Sequence, residues 1–342
     1  MKIQIAWIAA ASLAALPAAG ISSAAPPAAP AAPVEEIVPG VWFREGVPIS
    51  RAPSRPDEMG NPNAIIIEMK DYLVVVDANY PSGARLVMEA ARKLSPKPVK
   101  YVLDTHHHGD HSYGNAEWRK AGATTVGYKG QAEELKRYEP AAWQSAAKWR
   151  KDVAAMDPPA AEPPMQTFDN SPFVLDDGTR RIEMYFFGWA HTRGDSFVFL
   201  PKEKVICTGD GLANGGFNYL GLGNIGNWNH VLEQARKLGA THVLPGHGRP
   251  GGPELFDGQM LFLSELQKAV RREIAAGKKL DDLVKPGPAG ASQGMFPNRI
   301  VTIVLPHSVD HWISPERLPM QVQHTYEEIT QGKPHGEIMG GK

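Results

Sequence analysis

Four side chains able to ligate a metal ion fall within six residues, His106, His108, Asp110 and His111, in the run Thr105-His106-His107-His108-Gly109-Asp110-His111. Imidazole nitrogen and carboxylate oxygen are donors that zinc takes readily, and iron or manganese suits the same set. All four reach one cavity only if the chain curls around it, and Gly109 is expected to allow a sharp turn there. His107 alternates away from its neighbours and is expected outside the cluster. Three further candidates stand singly, each behind an apolar run: His191 after 186–190, Asp210 after 205–209 and His247 after 243–246. Any one alone reads as an ordinary loop residue. Three in the same position, at strand ends, point to convergence on one rim of a sheet.

The elements that must position them can be read from period and composition. Runs 64–68 and 72–77, rich in β-branched residues, read as a hairpin. Helical spacing follows over 83–94, with Leu86, Val87, Ala90 and Leu94 on one face. A strand at 99–103 runs straight into the His-rich segment, a helix is expected over 115–120, and a strand over 124–127. Residues 129–156 read as helix and carry Trp143 and Trp149, for which packing is the simpler expectation than a lid. A second β half then begins: 173–175, 181–187, 196–200 and 204–207. A helix over 227–238, a strand over 241–244 and a long amphipathic helix over 255–276 follow. Alternation of this kind predicts a sandwich of two sheets with helices outside. Asp77 ends a buried strand, where a carboxylate needs partners, and the His106–His111 segment is the nearest source of them. Asp195 is expected to brace the His191 loop, and Cys207, inside an apolar strand, to be an inert core thiol.

Lys and Arg number 36 against 37 Asp and Glu, a net charge of -1, so no basic field exists to hold nucleic acid. The single cysteine cannot form an intramolecular disulfide. Lys2, an apolar stretch to about residue 19 and small residues at 22–25 form a secretory signal-peptide pattern, with cleavage expected after Ala24. The apolar run is too short for a spanning helix, so no stable membrane insertion is expected after cleavage. The mature protein is then secreted, and periplasmic in a Gram-negative host. The expected organisation is a signal peptide (1–24), an Ala/Pro-rich linker (25–37), a catalytic domain (38–280) and a C-terminal extension (281–342).

His106-x-His108-x-Asp110-His111, followed by His191-Thr192-x-Gly194-Asp195, Thr208-Gly209-Asp210 and Pro245-Gly246-His247-Gly248, resembles the metallo-β-lactamase-fold superfamily in order and approximate spacing. The resemblance implies an α+β fold, a four-layer αβ/βα sandwich with a two-metal site between its sheets. Carried over by motif, His106, His108 and His191 hold one metal; Asp110, His111 and His247 hold the second; Asp210 bridges them. Two Zn2+ are the expected cofactors. Two divalent cations ~3.5–4 Å apart bring the pKa of a bridging water towards neutrality, so that hydroxide can attack a carbonyl carbon. Asp110 is then the catalytic carboxylate, orienting the hydroxide and relaying its proton.

Within the superfamily, Thr208-Gly209-Asp210 resembles glyoxalase II-like thioesterases and lactonases, whereas secreted zinc β-lactamases typically have Cys or Ser near the bridging position. No glutathione-binding C-terminal domain is recognisable. The expected substrate is a small molecule carrying a carboxylic ester, thioester, lactone or β-lactam bond, and Tyr219 is a candidate hydrogen-bond donor to it. The alternative is an oxidoreductase similar to persulfide dioxygenases, which share much of this motif set and use one iron held by two His and one Asp.

Overall fold

Alternation along a few short strands decides the layering. In the run Ala64–Glu68, Ile65 and Ile67 face one cluster and Ile66 another. Val74 and Val76 part in the same way from Val75, as do Val198 and Leu200 from Phe197 and Phe199. Each of these strands is apolar on both faces, so each must be covered on both. The computed structural model, which describes residues 33–47, 60–287 and 299–340, shows what covers them. The expected signal peptide and residues 25–32 of the expected linker lie outside the described residues.

The first sheet carries seven strands in chain order: β1 (Val34–Val38), β2 (Val41–Arg44), β3 (Ala64–Glu68), β4 (Leu73–Val76), β5 (Val99–Asp104), β6 (Thr124–Tyr128) and β7 (Gln166–Phe168). The second has five: β8 (Phe173–Asp176), β9 (Arg181–Tyr185), β10 (Phe197–Leu200), β11 (Val205–Cys207) and β12 (His242–Leu244), ordered β12-β11-β10-β9-β8. Their inner faces share one cluster that includes Phe43, Ile67, Val76 and Leu103 from the first sheet and Met184, Leu200, Cys207 and Leu244 from the second. Helices α1 (Pro81–Leu94) and α3 (Asn115–Lys120) cover the outer face of the first sheet through Ala84, Val87, Ala91 and Trp118. Between them lies the single turn α2 (Gly109–Ser112). Helices α4 (Lys129–Ala147) and α5 (Lys151–Ala154) follow β6, and α6 (Ile225–Arg236) and α7 (Glu254–Ala275) cover the second sheet through Trp228, Phe262 and Leu266. The result is the expected four-layer αβ/βα sandwich.

Two local expectations need correction. The segment expected as linker to residue 37 is already strand from Val34, because β1 pairs antiparallel with β2. The helix expected over 129–156 breaks at Arg150, whose backbone is extended; its guanidinium lies over the Tyr80 ring at 3.7 Å and bonds Asp152. The C-terminal extension packs on the second sheet. After α8 (Leu280–Leu283), strands β13 (Val284–Pro286) and β14 (Arg299–Val301) pair, and α9 (Leu318–Gln331) and α10 (His335–Gly340) follow. Ile303, Val309, Trp312 and Val322 join the same cluster as the outer face of the second sheet. Among the described residues no helix is long and apolar enough to cross a membrane.

β4 and β5 run parallel, as do β11 and β12, and their C-terminal ends meet on one rim. Asn63, buried just before β3, staples the two sheets there. Its Nδ2 donates to Pro245 O (2.8 Å) and Gly248 O (2.7 Å), and its Oδ1 accepts from Gly46 N (2.9 Å). Asn63→Ala leaves one buried carbonyl, one part-buried carbonyl and one part-buried amide without their partner, so unfolding free energy should fall by about 1–3 kcal/mol. A urea titration with an unchanged midpoint would show that the staple contributes nothing.

Candidate functional site

Asp77 organises the rim. It sits directly behind β4 with φ 68°, a left-handed backbone that turns its carboxylate under the end of β5. Oδ1 accepts from Thr105 N (2.7 Å) and Thr105 Oγ1 (2.8 Å), and Oδ2 lies 2.8 Å from His111 Nδ1. The expectation that this carboxylate finds its partners in the His-rich segment therefore holds. It also settles two tautomers. The Thr105 hydroxyl gives its proton to Asp77, so it accepts from His106 Nδ1, 3.1 Å away, and leaves His106 Nε2 as a lone pair. His111 donates through Nδ1, and its Nε2 faces Asp210 Oδ1 (3.4 Å) and Asp110 Oδ2 (3.5 Å).

Two donor groups converge. In the first, His108 Nδ1 lies 3.1 Å from His106 Nε2 and 2.9 Å from His191 Nε2. Burial is the main reason these three rings resist protonation: His106 is held well below the usual imidazole range, His108 is pushed to about 4 and His191 to about 3. Three neutral imidazoles that turn nitrogens towards one point cannot all satisfy one another, and a cation at that point can. In the second group, His247 Nε2 lies 3.1 Å from Asp110 Oδ2, beside His111. Burial opposes charge on His111, but Asp110, Asp77 and Asp210 outweigh it and hold the ring well above its ordinary range. Asp210 stands between the groups, with Oδ2 3.7 Å from His191 Nε2 and 3.6 Å from His247 Nε2. Burial raises its pKa, yet His247 and His111 pull the net shift downward.

All seven residues singled out in the sequence thus come together, and His106, His108 and His191, His106, His111 and Asp210, and Asp110, His111 and His247 each form a trio whose donor atoms lie within 4.8 Å of one another. Buried His111 Nε2 and Asp210 Oδ1 have no hydrogen-bond partner, as expected of atoms reserved for a metal ion. Gly109 plays a different part from the one expected: it opens α2, and a Cβ there would lie 2.5 Å from the Tyr113 ring, so close approach rather than a sharp turn requires glycine. His107 points away, its Nε2 3.7 Å from Glu139 and its ring stacked on Tyr138. Tyr219 lies beside the first group, its ring 5.8 Å from that of His108 and 6.4 Å from that of His191. Trp143 is buried against Tyr113, whereas Trp149 is 39% exposed.

Sequence reasoning passed over Thr105 and Arg317. Thr105 stands at a strand end beside Asp77, a position that could have marked it. Phe217 lies 6.1 Å from His247, ring to ring, and Arg317 is near enough to Asp210 and Asp110 to feel their charge. No local pattern marks Arg317. A cleft of about 360 Å3 opens beside His247, lined also by Asn63, Asn214, Phe217, Arg249 and His311.

Asp195 braces the His191 loop as expected. Its carboxylate accepts from the backbone of Ala190 (3.2 Å), His191 (2.6 Å) and Thr192 (2.9 Å) and from Thr192 Oγ1 (2.7 Å). Burial pushes it up to about 7 against the pull of these donors. Asp195→Ala leaves three buried amides without an acceptor and should lower unfolding free energy by about 3 kcal/mol or more. An unshifted denaturation midpoint would contradict that.

Comparison with known proteins agrees with this geometry. The family model for the metallo-beta-lactamase superfamily matches residues 58–247, a span that holds all seven residues. Hydroxyacylglutathione hydrolase of Pelagibacter ubique (strain HTCC1062) is 39% identical over 74 residues, which cover 21% of this chain and only 28% of that protein. Metallo-beta-lactamase type 2 of Bacillus sp. (strain 170) is 24% identical over 202 residues, 57% of this chain and 69% of that one. The solved mono-zinc form of the metallo-beta-lactamase FIM-1 from Pseudomonas aeruginosa shares the fold at a TM-score of 0.54 and 19% identity, covering 70% of this chain and 97% of its own. Strand-end histidines and aspartates gathered on one rim of an αβ/βα sandwich, together with a family match over more than half its length, establish that this chain belongs to the metallo-beta-lactamase superfamily.

Proposed function

We propose that this protein is an exported hydrolase with two zinc ions that cleaves a small carboxylic ester, thioester, lactone or β-lactam. The observation that carries the reading is Asp210 between two complete donor groups. His106, His108 and His191 would hold one ion and Asp110, His111 and His247 the other, with Asp210 placed between the two groups. Such a pair supplies a water that ionises near neutral pH and a Lewis acid for the carbonyl. The protein's own residues supply the rest. Asp77 keeps the His111 lone pair aimed inward by accepting Nδ1–H. Asp110, more exposed than His111, is placed to take the proton of the attacking water and pass it to the leaving group. A cleft of about 360 Å3 suits a small molecule, and its lining mixes the Phe217 ring with the amides of Asn63 and Asn214.

The amino-terminal pattern supports export, and hence a periplasmic site of action in a Gram-negative host. The intact second donor group favours hydrolysis over the one-iron oxidoreductase, which needs only two His and one Asp.

Elemental analysis of the mature protein, with turnover of thioester, lactone and cephalosporin substrates on the same sample, tests the whole reading. About two zinc ions per chain and hydrolysis of one substrate class are expected. About one iron, with oxygen consumption on a persulfide and no hydrolysis, would move the protein to the oxidoreductase class. Asp110→Asn should lower kcat by about 10^2–10^4-fold, and a variant with near-native turnover would remove Asp110 from the mechanism. Asp77→Asn should weaken zinc binding by about 10–100-fold, measured by competition with a chromophoric chelator. Unaltered affinity would show that Asp77 serves the fold alone.

A further inference from the structure

One loop of the site, residues 214–223, is held from outside the matched family region. Four of its backbone carbonyls accept hydrogen bonds from the C-terminal segment. Arg317 Nη1 donates to Phe217 O, Gln321 Nε2 to Asn218 O (2.8 Å), His335 Nδ1 to Gly221 O (2.7 Å) and Gly336 N to Gly223 O (3.0 Å). His311 Nε2 lies 2.7 Å from Asn214 Oδ1. A Cβ on Gly216 would come within 2.6 Å of Ser314 N, so loop and segment touch backbone to backbone. Glu328 binds the amides of Ile225 (3.0 Å) and Gly226 (2.6 Å), anchoring the N-terminus of α6 at the end of the loop.

The loop carries the two rings that flank the donor groups, Phe217 beside His247 and Tyr219 beside His108 and His191. Neither ring stands on regular structure, so its place depends on where the loop is held. We infer that the C-terminal segment, through Arg317 and Gln321, sets the substrate range of this site by fixing Phe217 and Tyr219 as its two apolar walls. Arg317 and Gln321 are positioning residues in this scheme. The favoured substrates are those with an apolar or aromatic group on either side of the scissile bond that packs against these rings. The inference rests on the hydrolytic reading for its substrate arm and on the loop contacts alone for its structural arm.

Removing residues 299–340 would strip Ile303, Val309, Trp312 and Val322 from the core, so point variants of the full, metal-loaded chain are the instrument. In Arg317→Ala, amide hydrogen exchange over 214–223 should rise while β4, β5 and the His-rich segment keep their protection. Metal content should be unchanged, and KM for an aromatic ester or thioester should rise about tenfold with kcat within about twofold. Gly216→Ala, which pushes loop and segment apart from the other side, should do the same, and Arg317→Lys should recover part of the loss. Unchanged exchange over 214–223 in both Arg317→Ala and Gly216→Ala overturns the clamp, whatever the enzyme hydrolyses. Faster exchange with an unaltered KM overturns the role of the rings as substrate walls. A wild-type protein that hydrolyses nothing tested, yet loosens in this loop on substitution, upholds the clamp and overturns both the hydrolytic reading and the substrate range assigned here.

Discussion

The buried carboxylate of Asp77 is the constraint on which the site depends. A charge taken out of water must be met by donors, and here the donors are the backbone and hydroxyl of Thr105 and the ring of His111. Those three contacts tie the end of β4 to the segment after β5. They also set the tautomers of His106 and His111, one through the threonine hydroxyl and one directly. One ligand of each donor group thereby takes its orientation from a residue that belongs to neither.

The sandwich makes this possible. Parallel strands end together, so the segments after β4 and β5 face those after β11 and β12 across a single rim. Asn63 bonds across that rim to the β12 turn, and the Ser196 amide bonds Thr105 O at 2.8 Å. Close approach is built in as well. A Cβ at Gly246 would fall 2.2 Å from Asp210 Oδ1, so the turn before His247 can rest against the central carboxylate only as glycine. The rim is thus rigid where the donor groups meet, whereas the cleft beside them is walled by a loop whose backbone bonds run to the C-terminal segment.

Electrostatics divides the two groups. Burial keeps His106, His108 and His191 neutral, the state in which imidazole ligates. Around His111 the carboxylates of Asp110, Asp77 and Asp210 gather more negative charge than burial can offset. That excess of negative charge suits a cation.

Much of this was legible in the residues. The strand-end positions of His191, Asp210 and His247, the spacing around His106–His111 and the need of Asp77 for partners follow from local pattern and the cost of burying charge. β-branched runs and helical spacing were enough to place β3 to β6 and α1, because short-range propensity and period agree there. Local pattern failed where a distant partner decides the outcome. β1 is strand only because β2 lies beside it, and the long helix breaks where Arg150 finds Tyr80 and Asp152. Gly109 is required by the Tyr113 ring above it. Chemistry and fold class are thus set by residue type and spacing, which act over a few residues. The shape of the cleft, and the joining of residues 299–340 to the core and to the 214–223 loop, were decided only in the tertiary structure, because those contacts join residues far apart in the chain, by apolar side chains in the core and, in the loop, at backbone carbonyls that every residue has.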